Sequence, residues 1–127
     1  LTKVIDISKH NGSIDFAKVK ADSISGVIIR AGYGKHISQK DPSFEKYYAA
    51  AKTAGLNVGA YWYSYALSVP EAKLEAAAFL EAVKDKLFEL PMYFDIEEEK
   101  QVVLGKTICS ATADAFCSAM EQAGYFA

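Results

Sequence analysis

The run GVIIRAGYG, Gly26 to Gly34, settles the fold class. From Gly26 to Ala31 it is apolar except for Arg30, and Val27, Ile28 and Ile29 are β-branched. A strand with one wet face alternates apolar and polar residues, and this run does not. An apolar strand without alternation belongs in a parallel sheet covered on both faces. Gly32-Tyr33-Gly34 reads as the break after it, followed by a polar loop to Lys40.

The same grammar repeats on either side. Lys3-Val4-Ile5-Asp6-Ile7 reads as a first strand, Asn11-Gly12 as a turn, and Ile14 to Lys20 as a short helix. After the opening run, Asp41-Pro42 reads as a helix start, with Asp41 as N-cap and Pro42 in the first turn. Phe44, Tyr47, Tyr48 and Ala51 recur at helical spacing, and Gly55 supplies the stop. Asn57 to Tyr65 reads as a third strand. Ser68, with Glu71 three residues on, caps a helix running to Val83. Pro91 to Ile96 is the fourth strand, and Lys106 or Thr107 opens a helix that Gly124 ends. Tyr125-Phe126-Ala127 reads as the opening of a fifth strand.

Strand and helix thus alternate four times, which predicts right-handed βαβ units and a parallel α/β sheet. An open doubly wound sheet and part of a (β/α) barrel both fit this order. A full barrel needs eight strands and about 250 residues. The apolar ending favours the barrel, truncated to about four βα units plus the start of a fifth strand.

The chain's 127 residues suggest one domain. The net charge of −2, with lysines and acids interspersed, gives no basic stripe for nucleic acid. No apolar run approaches the roughly 18 residues of a membrane span. Cys109 and Cys117 lie eight apart on one helix, about 12 Å along its axis. That exceeds the roughly 7 Å reach of a disulfide. Together with His10 and His36 they show no zinc-ligand spacing, so neither a metal nor another cofactor is expected.

The fourth strand carries the chemistry. Tyr93-Phe94-Asp95-Ile96-Glu97-Glu98-Glu99 turns from apolar to acidic at its carboxyl end, where parallel α/β folds build active sites. Alternation places Tyr93, Asp95 and Glu97 on one face, and Met92, Phe94 and Ile96 on the other beneath helices. Asp6 stands near the carboxyl end of the first strand and shares the same rim. At about 6 Å and an effective dielectric near 20, two carboxylates repel by about 2.8 kcal/mol, or roughly two pKa units. One acid then keeps a proton while its neighbour is ionised, as acid/base catalysis requires. Arg30, pointing inward, would hold one carboxylate ionised. Tyr61 and Tyr63 share one face of the third strand, Trp62 takes the other, and Tyr33 sits in the glycine loop. Tyrosines beside acids suit a sugar, whose ring stacks and whose hydroxyls hydrogen-bond. Glu98 and Glu99 read as solvated loop.

Four stretches in order, DISKHNG (6–12), VIIRAGYG (27–34), GLNVGAYWY (55–63) and YFDIE (93–97), resemble glycoside hydrolase family 25, the Chalaropsis-type lysozymes. The resemblance implies a modified β/α barrel, with residues 1–127 forming the N-terminal part of its catalytic domain. It implies hydrolysis of the β-1,4 bond between N-acetylmuramic acid and N-acetylglucosamine in peptidoglycan, outside the cell or in its wall. It assigns the general acid to Glu97. Asp95 assists the substrate's acetamido group or steadies the oxocarbenium-like charge, Asp6 lines the site, and Tyr61 and Tyr63 contact sugar. The family's later strands and a further acid from one of them have no counterpart here. An incomplete sheet with an open edge invites self-association, and a non-catalytic glycan-binding or assembly module is the alternative. A family 18 chitinase would want an Asp at the position of Tyr93.

Overall fold

The computed structural model describes residues 3–127. Four parallel strands form one sheet: β1 (Val4–Ile7), β2 (Gly26–Tyr33), β3 (Asn57–Tyr63) and β4 (Met92–Asp95). They lie side by side in chain order. A doubly wound sheet reverses its direction of growth at a switch point; no such reversal occurs among the described strands. The connections carry α1 (Phe16–Ala21), α2 (Phe44–Thr53) and α3 (Val69–Ala82), and β4 is followed by α4 (Glu99–Val102) and α5 (Lys106–Gln122).

One face of the sheet is packed under helices. Val27 and Ile29 of β2, and Val58, Ala60 and Trp62 of β3, are fully buried there. A run of stacked rings joins the layers. Trp62 lies on Phe79 of α3 (centroids 5.4 Å apart), Phe79 on Phe116 of α5 (5.7 Å), and Phe116 on Phe94 of β4 (4.1 Å). Asp15 caps α1 through the Lys18 amide, and Ser68 caps α3 through the Glu71 amide. The Glu71 carboxylate reaches the Leu67 amide at 3.1 Å.

Several elements depart from the sequence reading. Gly32 does not end β2, which continues to Tyr33. The register slips at Ala31, so that Arg30 faces Tyr61 while Gly32 faces Trp62. A Cβ on Gly32 would lie 2.6 Å from the Trp62 ring, and the indole N–H donates to the Gly34 carbonyl at 2.7 Å. Gly32 makes room for Trp62 rather than stopping the strand. Asp41 is not the cap of α2, because Ser43 precedes the first helical residue. The third strand stops at Tyr63, and the fourth helical segment is the short α4, which has too few residues to show a period. At the chain's end, the Phe126 carbonyl accepts the Met92 amide at 2.7 Å, beside β4 where a fifth strand is expected.

Candidate active site

The sheet face turned away from the helices carries the polar residues, and the register orders them in rows. Asp6 pairs with Ile28, and Ile28 with Gly59. Arg30, Tyr61 and Tyr93 form the next row, and Tyr33, Tyr63 and Asp95 the one after it. The bulge at Ala31 is what carries Tyr33 into this last row, since simple alternation from Arg30 would have turned it to the helices. A depression of about 340 Å³ is lined by Asp6, Ile28, Tyr61, Tyr93, Phe94 and Asp95.

Asp6, Asp95 and Glu97 come together at this rim. Burial pushes the Asp95 carboxyl up to about 6 from its ordinary 3.8. Hydrogen-bond contact with Glu97 and the charges of Glu97 and Asp6 push in the same direction. Glu97 reaches Asp95 from a loop rather than from the strand, because β4 ends at Asp95. Asp95 is half-buried and Glu97 is exposed. With hydrogen-bond contact between them, the two carboxyls share a proton, so the raised value belongs to the pair.

The tyrosines divide by role. Burial raises the Tyr61 hydroxyl above its ordinary range, with Arg30 opposing and Asp6, Asp95 and Asp41 adding to the rise. The Tyr63 hydroxyl donates to Glu98 Oε2 at 3.1 Å. Tyr65 packs on Tyr63 (5.2 Å between centroids) and edge-on to Tyr33 (6.0 Å), extending the aromatic wall past the end of β3.

Arg30 does not clamp the Asp95–Glu97 pair. Its Nε donates to Asp41 Oδ2 at 3.0 Å, and its guanidinium lies 5.9 Å from the Tyr33 ring centre. Asp41 is 2% exposed and also accepts the Lys9 amide at 3.1 Å and the Ser43 amide at 2.8 Å. It thereby ties the loop after β1 to β2 and to the start of α2. Sequence reasoning saw Asp41 only as a cap because Asp-Pro is a local signal, whereas its ion pair closes a loop. Glu98, expected in a solvated loop, is half-buried, accepts the Tyr63 hydroxyl and precedes α4.

Fold and site together define a parallel α/β protein with neighbouring carboxylates and an aromatic wall at the strands' carboxyl ends. The chain belongs to glycosyl hydrolases family 25, which it matches over residues 5–127. It is 32% identical over 106 residues to the autolytic lysozyme of Clostridium acetobutylicum, covering 84% of this chain and 30% of that protein. Its structure is similar to the modular autolysin LytC of Streptococcus pneumoniae, solved with a synthetic peptidoglycan ligand (TM-score 0.82, 28% identity, 98% of this chain and 30% of that one). It is also similar to the lysozyme of Streptomyces coelicolor (TM-score 0.76, 25% identity, 95% and 58% covered). The chain therefore spans about a third of the curated relative and of LytC. No helix among the described residues is long and apolar enough to cross a membrane.

Proposed function

We propose that the protein containing this chain is a lysozyme that hydrolyses the β-1,4 bond between N-acetylmuramic acid and N-acetylglucosamine in peptidoglycan. It would act at the cell wall, on glycan strands, through carboxylates alone. The observation that carries this reading is the depression that Asp6 and Asp95 line with Tyr61 and Tyr93 at the carboxyl-end rim, where the Asp95 carboxyl is held up to about 6. Family membership and the solved peptidoglycan complex of LytC support the choice of substrate.

In this mechanism Glu97, on the more exposed and movable side of the pair, delivers the shared proton to the leaving glycosidic oxygen. Once that proton is gone, Asp95 is the carboxylate that orients the substrate's acetamido group or faces the oxocarbenium-like charge, until water adds to the anomeric carbon and gives up a proton that restores the pair. The like charge of Asp6 helps keep the pair protonated beforehand. Tyr61, Tyr63 and Tyr33 offer ring faces and hydroxyls to the sugar. Arg30 serves indirectly, by fixing Asp41 and stacking near Tyr33. The four strands in chain order support a reading as the first half of a modified TIM barrel, whose remaining strands would wall the open side of the site.

The test is product analysis. Purified peptidoglycan is digested with the full-length protein, and the soluble fragments are identified by mass spectrometry after borohydride reduction. Reduced N-acetylmuramic acid at the new ends supports the assignment. Reduced N-acetylglucosamine ends, or peptide cleavage alone, refute it. Glycan binding without new reducing ends identifies the non-catalytic module instead.

A further inference from the structure

Behind the rim lies a buried polar cluster that the proposed chemistry does not use. Ser64, Glu75 and Gln101 are 0%, 1% and 2% exposed. They come from three separate elements: the residue after β3, the middle of α3, and α4. Burying three polar side chains is costly unless each donor and acceptor is met.

Here each is met, and the directions are forced. Ser64 Oγ accepts the Ala66 amide at 3.1 Å and Gln101 Nε2 at 2.9 Å. Both of those neighbours are donors, so the serine's own proton goes to Glu75 Oε1 at 2.7 Å. The other Glu75 oxygen accepts the Tyr65 amide at 2.8 Å. The second Nε2 proton of Gln101 goes to the Ala66 carbonyl at 3.0 Å, which leaves its Oε1 to accept the Glu98 amide at 3.1 Å. A flipped amide would set N–H against N–H at Glu98 and oxygen against oxygen at Ala66. Only one orientation of Gln101 therefore satisfies its surroundings.

The outlet of this chain of bonds is the backbone on one side of Glu97. Gln101 holds the Glu98 amide, and Tyr63 holds the Glu98 carboxylate at 3.1 Å. On the other side, the Ser64 amide holds the Asp95 carbonyl at 2.9 Å. Ser64 thus contributes to both grips, through its backbone to Asp95 and through its hydroxyl to Gln101. A well-packed apolar trio would cost less to bury. What the polar trio supplies is a fixed direction, transmitted from α3 to the loop that carries Glu97.

We propose that Glu75, Ser64 and Gln101 are positioning residues that set the separation of the Asp95 and Glu97 carboxyls by fixing the backbone at Glu98. The proposal rests on the reading of Asp95 and Glu97 as the catalytic pair. Its signature is nevertheless separate from turnover, because the separation of the two groups sets how Asp95 titrates.

The experiment compares wild-type full-length protein with Gln101→Met and Ser64→Ala. It reads the Asp95 carboxyl by carbon-13 NMR titration, the Glu98 amide by hydrogen exchange, and peptidoglycan solubilisation against pH. The charged and titratable groups on the sheet face that carries Asp95 and on the loop after it are Asp6 from β1, Arg30 and Tyr33 from β2, Tyr61 and Tyr63 from β3, Tyr93 on its own strand, and Glu97 and Glu98 beyond it; all remain in both variants. Loosening the loop weakens the Glu97 contribution and leaves burial and Asp6. In Gln101→Met the Asp95 midpoint is expected to fall by about one pH unit, the alkaline limb of activity to move down with it, and Glu98 exchange to rise at least about tenfold. Ser64→Ala keeps the bonds from Gln101 to Ala66 and Glu98, so a smaller shift in the same direction is expected. An unmoved midpoint with unchanged Glu98 exchange overturns the proposal, even if activity falls at every pH. If Gln101→Met does not fold, Ser64→Ala decides by the same criteria. A protein that shows the shift but does not solubilise peptidoglycan refutes the catalytic reading and leaves the positioning role standing.

Discussion

Replacing Asp95 with Asn is expected to stabilise the protein at neutral pH while removing its activity. Between pH 3.8 and about 6 the folded chain holds the Asp95 proton more tightly than the unfolded chain does. Linkage then makes stability fall as pH rises through that window and remain lowered above it. A gap of about two pH units corresponds to about 3 kcal/mol for a fully desolvated group. The rim is partly open to water, which reduces the effect to about 1–2 kcal/mol. Asn has nearly the same shape and no charge to desolvate. Urea unfolding of the full-length protein is therefore expected to show Asp95→Asn more stable by about 1–2 kcal/mol near pH 7.5, with the gain shrinking towards zero near pH 3.5. An Asn variant less stable than wild type near pH 7.5, or a gain of equal size at both pH values, refutes the reasoning. Such an exchange of stability for function is what a site built from crowded carboxylates implies.

Asp41→Ala leaves the Arg30 guanidinium in a site where its side chain is only 12% exposed, without its counter-ion. A loss of about 3–5 kcal/mol is expected by chemical denaturation, and a loss under about 1 kcal/mol counts against a structural ion pair. Gly32→Ala pushes a methyl into the Trp62 ring, 2.6 Å away. It is expected to cost about 1–3 kcal/mol and to alter Trp62 fluorescence, and an unchanged spectrum refutes the close approach. Ser68→Ala removes the cap of α3 and is expected to cost about 1 kcal/mol in the same denaturation assay. Leu87, Val103 and Phe126 are 78%, 75% and 77% exposed, so the 127-residue chain by itself is expected to self-associate. A light-scattering mass equal to one chain contradicts that.

What could be read from the sequence was local. The β-branched run at Val27–Ile29, the apolar lead into Asp95 and the Ser68 start signal are patterns within a few residues, and each appears where expected. Asp6 and Asp95 line one depression because both lie on the same face near the carboxyl ends of parallel strands, although the register sets Asp6 two rows below Asp95. The features that were not legible depend on contacts between distant segments. The Ala31 bulge follows from an indole lying on Gly32, which no pattern around Gly32 announces. Arg30 has several acids within plausible reach, and only the folded chain selects Asp41. Glu75 reads as an ordinary helical glutamate, yet α3 turns it inward to Ser64. Gln101 lies on a four-residue helix, too short to show a period. The pairing of Glu97 with Asp95 was anticipated by strand alternation, but the strand ends at Asp95 and the loop performs the approach.

The role of the carboxylate pair can be decided by one comparison. The rate of new reducing-end release from purified peptidoglycan is measured for the full-length protein and for Glu97→Gln, at equal concentration, with folding matched by circular dichroism. A neutral amide at position 97 cannot pass the shared proton to the leaving oxygen. The expected loss is at least about 100-fold, in line with removal of a general acid. A Glu97→Gln variant that keeps most of the wild-type rate would contradict the assignment of the acid and, with it, the proposed use of the Asp95–Glu97 pair.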